Sequence, residues 1–163
     1  LEKKYKAKIK NIDFRNKDNG WKNYNIKVSF SNGDILKEKF DKNVYMKAFL
    51  SDLSLRRSCY NCNANNFRSG SDLTLGDFWG SEILEPNFDD NKGVSLIILK
   101  TRKSQLLFDQ IKKDLDFKDI DLKEVSKFNY CLVKSVRRNP NRDVFFSNID
   151  SITIKEAMNN HLS

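Results

Sequence analysis

Residues 24 to 40 constrain the fold more than any other stretch of the chain. Tyr24, Ile26, Val28 and Phe30 alternate with Asn23, Asn25, Lys27 and Ser29, a period of two that a helix cannot turn to one face and a half-buried strand can. Asn32-Gly33 follows, then Ile35-Leu36-Lys37-Glu38-Lys39-Phe40, which is the pattern of a hairpin. Parity selects its turn. Leu36 and Phe40 share a face with Val28 and Tyr24 only if the loop holds an odd number of residues. Ser31-Asn32-Gly33, with Gly33 left-handed, is the short loop that satisfies this and sets Val28 opposite Leu36. Lys4 to Lys10 also alternates, with Tyr5, Ala7 and Ile9 against four lysines, and predicts a strand. The polar, turn-like run from Asn16 to Gly20 then makes the first three strands an antiparallel meander.

The rest of the chain mixes both periods. Asn43 to Leu53 predicts a short amphipathic helix with Met46 and Phe49 in the core. Leu73 to Gly76 reads as a strand. Val94 to Leu99 is the most apolar run and predicts a central strand covered on both faces. Lys103 to Leu115 carries Leu107, Ile111 and Leu115 at four-residue spacing and predicts a helix crossing the sheet; Phe117 to Ile120 offers a further strand. Asn139-Pro140 predicts an N-cap and first-turn proline, and Thr153 with Glu156 a capping box before Ala157 and Met158. The expected fold is α+β, or α/β, with a mixed sheet: the meander, a cysteine loop at one edge, Val94 to Leu99 in the centre and helices packed on it. With 163 residues and no Pro/Gly/Ser-rich linker, residues 1–163 are read as a single domain.

The net charge of +8 raises nucleic acid as a partner. The lysines are spread along strand and helix faces, and no recognised nucleic-acid module is present, so this class is set aside. A basic surface also suits a phosphate-bearing coenzyme or an acidic electron carrier. No apolar run approaches the roughly 20 residues that span a bilayer. Three cysteines make a poor disulfide framework, which points to the cytoplasm. The only histidine, His161, is read as a solvated helix-end residue, and no nucleophile elbow or metalloprotease motif exists.

Cys59 and Cys62 form a Cys-x-x-Cys step, the spacing at which one turn can aim two thiolates at a metal, and Arg56, Arg57 and Arg68 surround them. One pair is half a site. The alternatives are two buried thiols packing as small apolar groups, a zinc site completed by Cys131 and His161, or a redox dithiol. Cys131, between Tyr130 and Leu132, is expected in the core. Gly76 and Gly80 bracket Asp77-Phe78-Trp79, where a backbone can approach a ligand closely; the plainer reading makes Trp79 a core aromatic and Asp77 a cap or ion-pair partner.

Leu55-Arg56-Arg57-Ser58-Cys59-Tyr60-Asn61-Cys62 and Ser71-Asp72-Leu73-Thr74-Leu75-Gly76-Asp77-Phe78-Trp79-Gly80 occur in the order and spacing of a known family. So do Asn11 to Arg15 with Gly20-Trp21-Lys22, and Asp89 to Leu96. The chain resembles the C-terminal domain of the hydrogenase/dehydrogenase beta subunits that use a deazaflavin coenzyme, in their bacterial, polysaccharide-cluster branch. The resemblance implies an oxidoreductase domain that contributes to binding a flavin (FAD) and a [4Fe–4S] cluster, active only within a full-length protein. Cys59 and Cys62 would be two of the cluster's four ligands, the rest coming from ferredoxin-like segments N-terminal to the domain. The flavin-site candidates are Arg56, Asp72, Gly76, Asp77, Trp79, Gly80, Lys92 and Gly93. No catalytic residue is identified. The implied partners are those N-terminal segments and a deazaflavin coenzyme or ferredoxin-type electron carrier. Asn63-Ala64-Asn65-Asn66 departs from the family's more basic and aromatic loop. A cofactor-free interaction domain in polysaccharide biosynthesis is the alternative.

Overall fold

The computed structural model describes residues 1–159, so His161 lies outside the described residues. The described residues divide into two compact units, 1–57 together with 137–159, and 58–136. The architecture is α+β, and the strands among the described residues form two separate antiparallel sheets.

The first unit is built on the meander. Strands β1 (Ile9–Asn16), β2 (Asn25–Phe30) and β3 (Ile35–Lys39) pair antiparallel in that order. Val28 lies opposite Leu36, Gly33 has φ 93°, and the Phe30 amide donates to the Asp34 carbonyl, closing the three-residue loop that parity requires. Tyr24, Ile26, Val28 and Phe30 are all buried, and Met46 covers them. Each large side chain taken out of water on this face contributes about 1.5–3 kcal/mol to the unit's stability.

The N-terminal strand begins later than its alternation predicts, and runs on past Lys10 to Asn16. Residues Glu2–Tyr5 make one helical turn, α1, ending at left-handed Lys6, and the strand begins only at Ile9. The Glu2 carboxylate accepts from the Ile9 amide at 2.9 Å, and the Tyr5 ring stacks on Phe30 at 4.2 Å. These contacts give Tyr5 its apolar partner without a ladder.

Helix α2 (Val44–Leu50) starts where Asn43 accepts from the Met46 amide at 3.0 Å. Met46 and Ala48 turn inward, but Phe49 is 46 % exposed and does not join the core. Left-handed Asp52 (φ 59°) ends the helix and swings Leu53 inward. There it packs with Phe145 of α6 (Arg142–Asn148) and Ala157 and Met158 of α7 (Ile154–Asn159). Helix α6 begins two residues later than Asn139-Pro140 predicts, because the Asn139 carboxamide accepts from the Asn141 amide in a turn of its own and donates to the Ser51 carbonyl. The capping box of α7 is present: the Glu156 amide donates to Thr153 Oγ1 at 3.3 Å, and the Thr153 amide to the Glu156 carboxylate at 2.9 Å.

The second unit holds a two-stranded sheet, β4 (Leu73–Asp77) against β5 (Ser95–Leu99), with the short α3 (Ser81–Leu84), then α4 (Arg102–Ile111) and α5 (Leu122–Phe128). Phe78, Leu96 and Val125 form its core. The apolar run Val94 to Leu99 is therefore not central. Among the described residues it pairs with β4 alone, and only Leu96 of its side chains is buried. Residues 117–120 form no strand; Phe117 meets Phe108 of α4 edge-on at 5.1 Å. Helix α4 ends at Ile111, earlier than its apolar spacing predicts, and begins in a capping box between Thr101 and Ser104.

Candidate functional site

The cysteine loop begins where the two units join in sequence. Arg142 prepares it: the buried guanidinium donates through Nε to the Leu55 carbonyl at 2.9 Å and lies 4.4 Å from the Phe146 ring, setting the chain one residue before Arg56. Arg56 and Arg57 are exposed. A 3₁₀ turn over Arg57–Asn61 carries Cys59, and Cys62 follows it. The Cys62 amide donates to Ser135 Oγ at 3.0 Å, and the Asn65 carboxamide to the same oxygen at 2.7 Å. The Asn66 amide donates to the Leu132 carbonyl at 2.8 Å. Ser135 thus anchors the loop, a role that no local pattern signals, since it lies 73 residues from Cys62.

All three thiols are free. Cys59 and Cys62 are half-buried, and Cys131 is exposed, not in the core as its apolar neighbours predict. Among the described residues no three His, Cys, Asp or Glu side chains are grouped closely enough to hold a metal. The donor set is therefore a thiol pair, which fits half of a four-thiolate cluster and no more.

Arg56 stands apart, just before the cysteine loop in sequence, and the other seven flavin-site candidates separate into two places along the β4–β5 hairpin. At one end, Asp77 pairs with Ser95 and the Phe78 amide donates to the Val94 carbonyl at 2.9 Å, so Gly76 to Gly80 lies beside Lys92-Gly93. Asp77 and Gly76 are exposed, and nothing lies within 4 Å of where a Gly76 Cβ would stand. Trp79 is 45 % exposed while neighbouring Phe78 takes the core position; the Trp79 carbonyl accepts from Asn129 at 3.1 Å. Lys92 is held by Asp90, its Nζ at 3.0 Å from the carboxylate. Gly80 (φ 84°) faces the Phe128 ring, which fills the space a Cβ would need.

Asp72 sits at the other end, five residues or about 17 Å along the strand from Asp77. Its carboxylate accepts from Thr101 Oγ1 at 2.8 Å and from Lys103 Nζ at 3.0 Å, and these bonds hold it below the usual aspartate range. It caps the hairpin onto the start of α4.

The second unit also holds a partly open cavity of about 660 Å³, lined by β5, Phe78, Phe108, Phe117 and the rim carboxylates of Asp90, Asp116 and Asp119. Of the flavin-site candidates, Gly93 alone among the described residues lines it.

The family model for the C terminus of the coenzyme F420 hydrogenase/dehydrogenase beta subunit matches residues 1–138. The chain belongs to this family. The matched span takes in the meander, the cysteine loop and the hairpin with every candidate named above. The motif Asn11 to Arg15 with Gly20-Trp21-Lys22 comes together in the first unit, where the Arg15 guanidinium lies 3.6 Å from the Trp21 ring and 4.5 Å from Tyr24. There it serves packing. No curated protein and no solved structure matches the chain. No helix among the described residues is long and apolar enough to cross a membrane.

Proposed function

We propose that this chain is the redox-cofactor domain of an oxidoreductase beta subunit, supplying two thiolates to an iron–sulfur cluster and part of the binding surface for a flavin. The observation that carries the reading is the Cys59/Cys62 pair, free and half-buried on a short turn anchored by Ser135, in a chain that belongs to a redox beta-subunit family. Thiolates at this spacing match one edge of a cubane cluster. The other ligands come from outside these 163 residues, from N-terminal cluster-binding segments.

The flavin surface is the end of the hairpin where Gly76, Asp77, Trp79, Gly80, Lys92 and Gly93 converge, with Arg56 beside the cysteines in sequence. Exposed Trp79 offers a ring to stack on, and Lys92 a cation for phosphate. Asp72 orients the opposite end through Thr101 and Lys103. Bound flavin and cluster supply the electron transfer; the chain's part is to hold them in position. A deazaflavin coenzyme or a ferredoxin-type carrier is the electron partner, and a soluble cytoplasmic setting suits all of these.

Anaerobic reconstitution with iron, sulfide and FAD tests the reading. This chain alone should retain less iron than a full cluster, and the chain joined to its N-terminal cluster-binding segments should retain about four irons per polypeptide. Replacing Cys59 with Ser should abolish the cluster in the joined protein. Four irons on the isolated chain, or full iron retention after Cys59→Ser, refutes the ligand assignment.

A further inference from the structure

The most apolar strand of the chain has an open edge. The Phe78 amide bonds the Val94 carbonyl, and the Lys100 amide bonds the Asp72 carbonyl. Both lie on the register line that pairs Gly76 with Leu96 and Thr74 with Ile98. In an antiparallel ladder bonded pairs recur every second residue. Leu96 and Ile98 therefore turn their main-chain groups toward β4, and Ser95, Ile97 and Leu99 turn theirs away. Among the described residues, no other segment pairs with that outer edge.

The cavity described above runs along this edge, because residues of both faces of β5 line it. Its volume of about 660 Å³ is close to that of one more strand. Five residues at about 3.4 Å rise, in a slot about 4.8 Å wide and 10 Å deep, occupy roughly 800 Å³. Leu96, Ile98, Phe108 and Phe117 make its walls apolar. The charge at its rim has one sign. Lys118 is neutralised by Glu85 at 2.6 Å, and Asp90 by Lys92 at 3.0 Å, while Asp116 and Asp119 are exposed and in no ion pair among the described residues. In a chain of net charge +8 this is a local acidic rim.

We propose that the outer edge of β5 accepts an extended segment of a partner protein, alternating apolar and basic residues, as a third strand of the β4–β5 sheet. Main-chain bonds to Ser95, Ile97 and Leu99 hold the segment, its apolar residues enter the cavity, and its basic residues meet Asp116 and Asp119. An open, apolar strand edge is otherwise a liability for self-association. The cavity shares Gly93 with the flavin-site candidates, but the proposal uses neither cofactor, and neither enters its test.

The full chain is titrated with a fluorescein-labelled seven-residue peptide alternating valine and lysine, and with its glutamate-for-lysine counterpart. Two further lysine peptides are N-methylated on all odd or all even residues. The lysine peptide should bind at least tenfold more tightly than the glutamate peptide. Only one methylated peptide should lose binding, since a strand offers one row of amides to each edge. Hydrogen exchange at the Ser95, Ile97 and Leu99 amides should slow when the peptide is bound. Ile97→Pro removes an outward-facing donor, which an edge strand tolerates, and should abolish binding with an unchanged circular dichroism spectrum. Asp116→Asn with Asp119→Asn should weaken the lysine peptide several-fold and flatten its salt dependence. Equal affinity for lysine and glutamate peptides overturns the proposal, as does binding of both methylated peptides or no protection at β5. Benzyltrimethylammonium binding in the cavity while no peptide binds also overturns it, assigning the cavity to a small cation. If Ile97→Pro fails to fold, the methylated peptides and the aspartate variants decide.

Discussion

Gly80→Ala should destabilise the second unit through two separable effects. Gly80 has φ 84°, and an added Cβ would stand 2.6 and 2.8 Å from the Phe128 Cδ atoms and closer still to Cγ. Holding an alanine in the left-handed region costs about 1–2 kcal/mol. Forcing a methyl into a ring held by its own helix adds about 1–3 kcal/mol. The sum is about 2–5 kcal/mol, a shift of the urea midpoint of about 1–3 M for a slope near 1.5 kcal/mol per molar. Gly70→Ala is the control, because Gly70 lies in the same unit with φ 71° and nothing within 4 Å, so only the backbone effect applies. The chain has two tryptophans, Trp21 and Trp79, so a Trp21→Phe background leaves Trp79, next to Gly80, as the fluorescent reporter. In a double-mutant cycle Phe128→Ala should recover the packing part, giving a coupling of about 1–3 kcal/mol. If Gly80→Ala costs no more than Gly70→Ala, or shows no coupling to Phe128, the close approach of ring and glycine is refuted.

Leu53→Ala removes a side chain with 0 % exposure from the contact among α2, α6 and α7. It should cost about 2–5 kcal/mol in urea unfolding followed through Trp21. Asp72 is held below the usual aspartate range by Thr101 and Lys103, so its stabilisation is present above the unfolded pKa, about 3.9, and is lost as pH falls through the lower folded value. Asp72→Asn should therefore lower the melting temperature at pH 7 and make no difference near pH 2, and a carboxyl-carbon NMR titration of Asp72 should give a midpoint below 3.9. Thr153→Ala removes the α7 cap and should cost about 0.5–2 kcal/mol by urea denaturation. Ser135→Ala should loosen the cysteine loop, read as faster hydrogen exchange at the Cys62 amide with the core amides of Val28 and Leu96 unchanged.

For the hairpin and the α7 cap, neighbours in the chain settled the choice and the sequence was enough, whereas Asn139-Pro140, held in a turn of its own by Ser51, gave a local signal that the fold moved. The parity of Tyr24 to Phe30 against Leu36 and Phe40 determines the hairpin register, because side chains alternate faces and a slip of one residue would expose the whole apolar set. Thr153 and Glu156 determine the start of α7 for the same local reason. The motifs of the cysteine loop and hairpin likewise carried the family. Tertiary structure decided what residues far apart do to one another. Tyr5 reads as a strand residue but finds its apolar partner in Phe30, so one turn of helix satisfies it. Val94 to Leu99 reads as central, yet apolar composition records how much surface a strand can bury and not which strands arrive to pair with it; among the described residues only β4 does, while Phe78 and Val125 cover Leu96. Cys59 and Cys62 were legible as a pair from their spacing, but the Ser135 hydroxyl that anchors their loop and the Arg142 guanidinium that sets its approach come from distant segments. A hydrogen bond across 73 residues leaves no periodicity in the chain, and only folding brings donor and acceptor within reach.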